Sequence, residues 1–320
     1  MYYKPIIIVP GEPNSIFFEI YFKSIKKNKF RSPIILICSR DLLYLQMKKL
    51  KFNYEINLID ENKIKYKLKK NKINFKNINY NTKKAFEKIS SKSNIYIKNC
   101  FKLALELLKK GITNKFINGP ISKKYFLKKK YLGITEYLAK KTNSKKFTML
   151  IYNKNLSVSP ITTHLPIKLV SKKINKKIII EKIKLINNFY KKTLNLTPKI
   201  AVTGLNPHCE SIHYHNEDLK IIKPSINFLK KNGIKINGPF SADTIFLHNN
   251  RKNFNVVIGM YHDQVLTPIK TLYEYDAINI TLGLPFIRIS PDHGPNEKMM
   301  GKNLSNPLSL IKAIKFLDKL

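Results

Sequence analysis

The sequence is short of residue types that mark particular classes of protein. Its three cysteines, Cys38, Cys100 and Cys209, form neither a Cys-x-x-Cys zinc pattern nor a disulfide framework. No apolar run approaches the roughly 20 residues that span a bilayer, and the N-terminal residues lack the apolar stretch and cleavage site of a signal peptide. We therefore predict a cytoplasmic protein of a reducing compartment with no membrane segment.

Glycine is scarce, with 11 residues in the chain, and two glycine-rich nucleotide-binding motifs are missing. No Gly-x-Gly-x-x-Gly follows an apolar run, and no Gly-x-x-x-x-Gly-Lys-[Ser/Thr] occurs anywhere. A Rossmann fingerprint and a P-loop are therefore unsupported. The remaining glycines lie mostly in short patterns such as NGPISK (118–123) and DHGP (292–295), which indicate tight turns.

Acidic residues are also few, 20 against 60 lysines and arginines, which gives a formal net charge of +40. Such a charge makes a nucleic-acid partner one alternative. However, only four of the basic residues are arginine, and the lysines are mixed with asparagine and isoleucine along the whole chain, as A+T-rich coding would produce. The segment 63–84 comes nearest to a basic and aromatic binding stretch. We interpret it as a solvated, partly irregular surface segment and do not predict nucleic-acid binding.

Apolar runs of strand length alternate with amphipathic segments along the chain. The predicted strands are 6–9, 33–38, 54–59, 115–117, 147–152, 156–162, 199–203, 235–237, 256–260 and 277–281. The predicted helices are 15–27, 42–51, 95–110, 176–190, 217–231 and 307–319. This alternation is typical of a mostly parallel α/β sheet. No repeat or Gly/Ser linker interrupts it, which favours two α/β lobes that share a continuous sheet system.

Three of the seven histidines directly follow predicted strands. His164 ends LSVSPITTH, His208 follows KIAVTGLNP, and His262 follows NVVIGMY. Because parallel α/β sheets bind ligands at the carboxyl ends of their strands, these imidazoles can converge on one site. Three neutral imidazoles with an open coordination position make a catalytic metal site. The alternative is that each histidine is an ordinary hydrogen-bonded core or loop residue.

Further polar residues accompany these histidines. Asp243, Asp263 and Asp292 could add carboxylate ligands or orient the imidazoles. His213 and His215 have a spacing that can chelate, but no further local Cys or His pair completes a site. We interpret these two histidines as residues of a solvated loop.

Arg288 is notable because nearly every other cation in the chain is a lysine. It directly follows the apolar run LGLPFI, and its planar guanidinium suits bidentate binding of a carboxylate or phosphate. A structural ion pair is the alternative. Lys123 and Lys270 are weaker candidates for binding an anion, since lysines occur everywhere in this chain.

A series of short motifs follows in order along nearly the whole chain: PGEP (10–13), NGPISK (118–123), GITEY (133–137), TTHLP (162–166), GLNPH (204–208), NGPFSADT (237–244), MYHDQ (260–264), NITLGLPFIR (279–288) and DHG (292–294). Together they closely resemble the 4-hydroxythreonine-4-phosphate dehydrogenase family of pyridoxal phosphate biosynthesis. The resemblance implies an α/β fold like that of isocitrate and isopropylmalate dehydrogenases, with the active site in the cleft between two lobes. Residues 1–125 with 283–320 would form the first lobe, and 126–282 the second, which carries the metal ligands and dimer contacts.

The implied activity is a metal-dependent oxidation of 4-phosphohydroxy-L-threonine by NAD or NADP. Its 3-oxo acid product decarboxylates to 3-amino-2-oxopropyl phosphate in pyridoxine 5'-phosphate biosynthesis. The resemblance also implies a divalent metal (Zn, Mg or Co) and a homodimer with the active site at the interface, one metal ligand coming from the partner subunit. Three alternatives stay open: a related NAD(P)-dependent dehydrogenase acting on another phosphorylated hydroxy acid, a three-histidine metal-dependent hydrolase, and a basic nucleic-acid-binding protein.

The resemblance assigns roles to individual positions. It implies metal ligation by His164, His208 and His262, substrate binding by Thr135, Lys270, Asn279 and Arg288, cofactor binding by His293, Gly294 and Gly301, and proton-transfer or orienting roles for Lys123 and Asp243.

The chain departs from the family pattern in several places. The family has a histidine before the threonine of GHTE, where this chain has Ile134, which cannot hydrogen-bond a phosphate oxygen. The family's DHGT reads DHGP at Pro295, and glycines expected after PGEP and after NPH are absent. Losing a hydrogen bond to a charged group costs about 1.5–3 kcal/mol, or roughly 10- to 150-fold in affinity. We therefore predict reduced activity rather than none.

Overall fold

The computed structural model describes residues 3–59, 68–69, 71–127, 131–210, 216–291 and 293–320. Within these ranges the strands are β1 (Ile6–Val9), β2 (Ile34–Cys38), β3 (Ile56–Leu58), β4 (Ile73–Asn77), β5 (Lys115–Asn118), β6 (Thr148–Tyr152), β7 (Ser157–Pro160), β8 (Ile200–Thr203), β9 (Ile236–Phe240), β10 (Val256–Gly259), β11 (Ile278–Leu282) and β12 (Ile287–Pro291). The α-helices are α1 (Phe17–Lys27), α2 (Arg40–Lys49), α3 (Asn94–Lys109), α4 (Ile134–Lys141), α5 (Val170–Lys173), α6 (Lys176–Thr193), α7 (Lys223–Lys231), α8 (His248–Arg251), α9 (His262–Tyr273) and α10 (Leu308–Asp318).

The chain divides into two compact units. Unit 1 comprises Met1–Leu138 and Pro285–Leu320, and unit 2 comprises Ala139–Leu284. The lobe boundaries predicted from the sequence, at 125/126 and 282/283, stay a prediction. No helix in the described ranges is both long and apolar enough to cross a membrane.

Unit 1 is built on parallel strands in the order β3-β4-β2-β1-β5-β12. The central strand β1 is a run of isoleucine and valine in which every side chain is fully buried. Such continuous apolar runs belong to parallel strands that are covered on both faces. Helix α3 packs on β1 and helix α10 packs on β12.

Unit 2 has the strand order β11-β6-β7-β10-β8-β9. Strands β7, β10, β8 and β9 are parallel, whereas β6 runs antiparallel to both β11 and β7. Helix α9 packs on β7 and β10, and Val265 and Ile269 of α9 join a buried cluster with Val158 and Val257 of those strands. The predicted α/β class is therefore confirmed, and most of the strand pairs are parallel.

The interpretation of 63–84 as a surface segment is wrong for its central part. Residues 73–77 form β4, which pairs with β2 on one side and β3 on the other. Ile73 and Phe75 are buried, and the ammonium of the buried Lys76 donates to the carbonyl of Ile59 at 3.0 Å. The alternation of apolar and polar residues in INFKN is the local signal of this strand, which the abundance of lysine and asparagine obscures.

Candidate functional site

The strands that precede the three candidate metal ligands are neighbours in unit 2. Strand β10 pairs in parallel with β7 on one side and with β8 on the other. Their carboxyl ends therefore lie at one edge of the sheet, about 4.8 Å apart from strand to strand. At this edge the imidazole rings of His164 and His262 have centroids 5.5 Å apart, while His208 lies in the loop that follows β8.

The segment that carries His164 is tied to the segment that follows β10. The amide of Ile161 donates to the carbonyl of Gly259 at 2.7 Å, and the Thr162 amide and hydroxyl donate to the carbonyl of Met260 at 3.1 and 2.7 Å. His164 itself is exposed and has a left-handed backbone, with φ of 35°. The extension of β7 by backbone hydrogen bonds therefore places this imidazole at the sheet edge.

His262 is the first residue of α9, directly after Tyr261 in extended conformation. Its Nδ1 lies 2.6 Å from Oδ1 of Asp263, which is an exposed carboxylate. A carboxylate in this position accepts the Nδ1–H and leaves Nε2 with its lone pair, which is the arrangement that orients metal-binding histidines. Asp263 thus fits the orienting role that the sequence suggested for it.

The loop that carries His208 is held by a buried carboxylate. Asp218 is fully buried, and it accepts from the backbone amides of Leu205 and Asn206 at 2.7 and 3.1 Å and from the Asn206 side chain at 2.9 Å. His208 is exposed and has a φ of 57°. The first turn of the loop is therefore fixed by hydrogen bonds, while the imidazole remains accessible.

Among the described residues, no three His, Cys, Asp or Glu side chains are already arranged to hold a metal ion. The donor set fits such an ion in part, because two solvent-accessible imidazoles lie side by side and one has a carboxylate on its Nδ1. His213, His215 and Asp292 lie outside the described residues.

A second set of functional candidates lies in unit 1 around Arg288. This residue is in β12, opposite Phe116 of β5, and it is fully buried. Its Nε donates to Oδ1 of Asn118 at 2.7 Å and its Nη1 to Oγ1 of Thr135 at 3.4 Å. Burial lowers the pKa of Arg288, and the charge of Glu136 acts in the opposite direction. The structure therefore brings together Arg288 and Thr135, two of the four predicted substrate-binding residues.

The other two predicted substrate-binding residues lie in unit 2. Burial lowers the pKa of Lys270, which is in α9. Asn279 is in β11, where its Nδ2 donates to Sδ of Met149 at 3.4 Å and its buried Oδ1 has no hydrogen-bond partner within the described part of the chain. A buried amide oxygen without a partner is costly to fold and suits a ligand that donates to it.

The two predicted proton-transfer residues are both exposed. Lys123 begins a short turn of helix in unit 1, and Asp243 follows β9 in unit 2. The charge of Asp243, after the larger effect of burial, contributes to the raised pKa of Cys209, the residue next to His208. Asp243 therefore lies within electrostatic reach of the segment that carries His208.

The predicted cofactor-binding residues lie in one loop of unit 1. Nδ1 of His293 is 3.0 Å from the carbonyl of Gly294. Apart from Gly294 and its two chain neighbours, no heavy atom of the described residues lies within 4 Å of the place that a Cβ on Gly294 would occupy. Gly301 has a φ of 72°, and a Cβ there would come within 3.2 Å of the Phe86 ring. The backbone of Gly294 is therefore accessible to a ligand. At position 301, the positive φ and the nearby Phe86 ring favour glycine over residues with a side chain.

Sequence reasoning missed three residues that position the candidates. Asn118 and Gln264 both belong to motifs that we noted, NGPISK and MYHDQ, but nothing in the sequence indicated their contacts. Asp218 lies in a segment predicted to be helical, and no sequence signal distinguished it from a surface acid.

Comparisons with known proteins show which family this chain belongs to. Residues 29–317 match the family model described as Pyridoxal phosphate biosynthetic protein PdxA. The chain is 37% identical over 315 residues to the 4-hydroxythreonine-4-phosphate dehydrogenase of Sulfurihydrogenibium sp., with 97% of this chain and 96% of the relative covered. It is 34% identical over 224 residues to the D-threonate 4-phosphate dehydrogenase of Pectobacterium atrosepticum, with 69% of each covered. The crystal structure of 4-hydroxythreonine-4-phosphate dehydrogenase from Klebsiella pneumoniae is similar with a TM-score of 0.85 at 26% identity, covering 98% of each chain.

Proposed function

Because the chain belongs to the PdxA family of pyridoxal phosphate biosynthetic proteins, we propose that this oxidoreductase converts 4-phosphohydroxy-L-threonine in pyridoxine 5'-phosphate biosynthesis. In the proposed reaction, carbon 3 of the substrate loses a hydride to the nicotinamide of NAD or NADP, and its hydroxyl loses a proton. The resulting 3-oxo acid has its carboxylate β to a carbonyl, so carbon dioxide leaves, a proton takes its place, and 3-amino-2-oxopropyl phosphate forms.

The observation that carries this proposal is the pair of imidazoles, His164 and His262, 5.5 Å apart at the ends of adjacent parallel strands. We propose that they bind a divalent metal, Zn, Mg or Co, with His208, and that one ligand of each site comes from the partner subunit of a homodimer. When bound, such an ion supplies Lewis-acid polarisation of a substrate oxygen.

The charged residues of the chain would hold the substrate in register, which is a positioning effect. Arg288 is always charged under ordinary conditions and is supported by Asn118 and Thr135, so we assign it to an anionic group of the substrate. We assign Lys270 to a second anionic group and the unsatisfied Oδ1 of Asn279 to a substrate donor. Lys123 and Asp243 are assigned to proton transfer or to orienting neighbouring groups.

We assign His293, Gly294 and Gly301 to the adenosine side of the cofactor. The open backbone at Gly294 supports this, because a close-lying cofactor needs room that a side chain would occupy. The proposal includes a fold of the isocitrate and isopropylmalate dehydrogenase type. It also includes a cytoplasmic location, in keeping with three free cysteines.

A second candidate is the oxidation of another phosphorylated hydroxy acid, with D-threonate 4-phosphate as the first to test. It is favoured by the similarity to a D-threonate 4-phosphate dehydrogenase. It is also favoured by Ile134, which removes a hydrogen-bonding side chain from the position where the family resemblance expects a substrate contact.

The test is an assay of NAD(P)H formation by the purified protein with each of the two substrates. It is run with NAD and with NADP, after chelator treatment and after addition of Zn²⁺, Mg²⁺ or Co²⁺. We expect metal-dependent turnover of 4-phosphohydroxy-L-threonine. Preference for D-threonate 4-phosphate would select the second candidate, and no turnover of either substrate by folded dimer would refute both.

A further inference from the structure

We propose that Gln264 is a positioning residue that joins the loop carrying His208 to the segment from β10 to the start of α9, which carries His262, and that its side-chain amide thereby sets the affinity for a divalent metal. This inference rests on the metal site of the proposed function. Gln264 would not itself touch the ion. It acts through the two segments that carry His208 and His262.

The amide of Gln264 makes three hydrogen bonds to two strand ends. Its Oε1 accepts from the backbone amide of Met260, after β10, at 2.6 Å and from the hydroxyl of Thr203, the last residue of β8, at 2.9 Å. Its Nε2 donates to the carbonyl of Gly204 at 2.7 Å. One side chain therefore bridges the points at which the two histidine loops leave the sheet.

The orientation of this amide is dictated by its partners. The backbone amide of Met260 can only donate and the carbonyl of Gly204 can only accept, so Oε1 must face Met260 and Nε2 must face Gly204. A carboxylate in place of the amide would set one of its oxygens against the Gly204 carbonyl. An apolar side chain would leave the polar groups without their partner, which is costly where they are buried.

Neither Gly259 nor Gly204 has room for a side chain. A Cβ on Gly259 would lie 3.1 Å from Oε1 of Gln264 and 2.4 Å from Cγ1 of Val265, and a Cβ on Gly204 would lie 2.7 Å from Oδ1 of Asp218. Asp218 in turn holds the amides of Leu205 and Asn206. The chain from Gly204 towards His208 is thus held at its start by Asp218 and Gln264, and Gln264 also bonds to the segment before His262.

The experiment compares the wild-type protein with Gln264→Met, which keeps the length of the side chain and removes all three hydrogen bonds. Gln46→Met is the matched control, because the Nε2 of the buried Gln46 donates to the carbonyls of Pro13 and Ala85 at 2.8 Å each, in unit 1. The probes are Zn²⁺ alone, in competition with a chromophoric chelator, and Co²⁺ alone, whose visible spectrum reports coordination geometry. Hydrogen exchange at the Met260 amide is measured on metal-free protein.

Loss of groups that orient metal ligands typically weakens metal binding about 10- to 100-fold. We expect that loss of Zn²⁺ affinity in Gln264→Met, together with an altered Co²⁺ spectrum and faster exchange at Met260. Gln46→Met should lose thermal stability and keep the wild-type affinity and spectrum. Gln264→Glu, which keeps both accepted hydrogen bonds, should fall between wild type and Gln264→Met and serves if the methionine variant does not fold.

Equal Zn²⁺ affinity in wild type and in the Gln264 variants would overturn this inference and leave the proposed metal site standing. Equal weakening in Gln46→Met would also overturn it, because the effect would then be one of general stability. A wild-type dimer that binds neither Zn²⁺ nor Co²⁺ would overturn both this inference and the metal requirement of the proposed function.

Discussion

The sheet edge of unit 2 that carries His164, His208 and His262, here called the histidine edge, differs from unit 1 in how it places its ionisable groups. In unit 1 the comparison is with Arg288, a functional candidate, and with Glu12 of the PGEP motif, a buried carboxyl. At the histidine edge, His164 and His208 are exposed and His262 is half-buried. The segments that carry them are held by hydrogen bonds from other residues, such as those of the Gln264 amide and the buried Asp218 carboxylate. In unit 1, Arg288 and Glu12 are ionisable groups with side chains out of contact with solvent.

Because of this difference, substitutions in the two regions should affect ligand binding and stability to different degrees. Replacing an exposed imidazole removes a ligand but few packing contacts, so the free energy of unfolding should change little. Replacing a buried ionisable group changes desolvation and hydrogen bonding together, so the stability of the fold should change with it. Each of the following predictions tests one side of this comparison.

The largest effect is expected for His262→Ala. Metal polarisation is worth several kcal/mol in a transition state, so kcat/KM should fall about 1,000-fold, and metal binding should be lost. Because His262 is only half-buried, the thermal midpoint should stay close to that of wild type. His248→Ala, at an exposed position in α8, is the control and should change neither quantity. A large drop in thermal stability for His262→Ala would break the comparison.

The next effect is a pH dependence of stability in unit 1. Burial raises the pKa of Glu12 from 4.5 to about 7, against the opposing hydrogen bonds from Asn14 and Ser93. Because the folded-state value is raised, the stabilisation is complete below pH 4.5 and is lost as pH rises through about 7. The loss amounts to about 3 kcal/mol.

Glu12→Gln should remove this dependence and be the more stable protein at pH 8. Chemical denaturation of both proteins at several pH values between 4 and 9 measures the difference. Parallel curves for the two proteins would show that the Glu12 carboxyl is not the buried group that responds to pH.

Arg288→Lys should lower activity and stability together. A lysine cannot reproduce the planar donor set that reaches both Asn118 and Thr135, and loss of a hydrogen bond to a charged group costs about 1.5–3 kcal/mol. We expect kcat/KM to fall roughly 10- to 150-fold and the thermal midpoint to drop. Arg251→Lys is the matched control, since the side chain of Arg251 donates to the carbonyl of Phe246 and, within the described ranges, to no side chain. Wild-type kinetics for Arg288→Lys would reduce Arg288 to a structural residue.

The smallest predicted effect is a gain from Ile134→His. The imidazole would supply a donor at the first position of α4, beside Thr135, and a gain of about 1.4 kcal/mol corresponds to a tenfold lower KM. Steady-state kinetics with the phosphorylated substrate measure this change. Leu132→His, an exposed position two residues earlier, controls for a nonspecific effect of histidine. Unchanged KM in Ile134→His, from a wild type of ordinary activity, would refute our prediction of reduced activity.

Much of the histidine edge could be predicted from the sequence, because each strand and the histidine after it are indicated by neighbouring residues in the chain. An apolar run followed directly by a histidine predicts both a strand and a residue at its carboxyl end, and β7, β8 and β10 formed where this pattern occurs. Helix α9 was not predicted, although His262 begins it. Its apolar positions are interrupted by Pro268 and Lys270, so periodicity alone did not distinguish it from a loop.

Unit 1 was harder to predict because its informative groups depend on distant neighbours. Arg288 was recognised as unusual among the lysines, but its strand β12 was not predicted. The strand forms because β5, 170 residues earlier at Asn118, offers both a parallel backbone and a partner for the guanidinium. Glu12 in PGEP carried no sequence signal of a shifted pKa, since that shift comes from burial and not from its neighbours in the motif.

The sequence by itself determined the α/β class, the family to which the chain belongs and the histidines at three strand ends. These properties follow from periodicity and from short ordered motifs. Only the tertiary structure decided that these three strands are adjacent, that Gln264 bridges two of their loops and that Arg288 is fully buried. The physical reason is that strand order, desolvation and side-chain hydrogen bonds arise between residues far apart in the chain, where no local pattern specifies the partner.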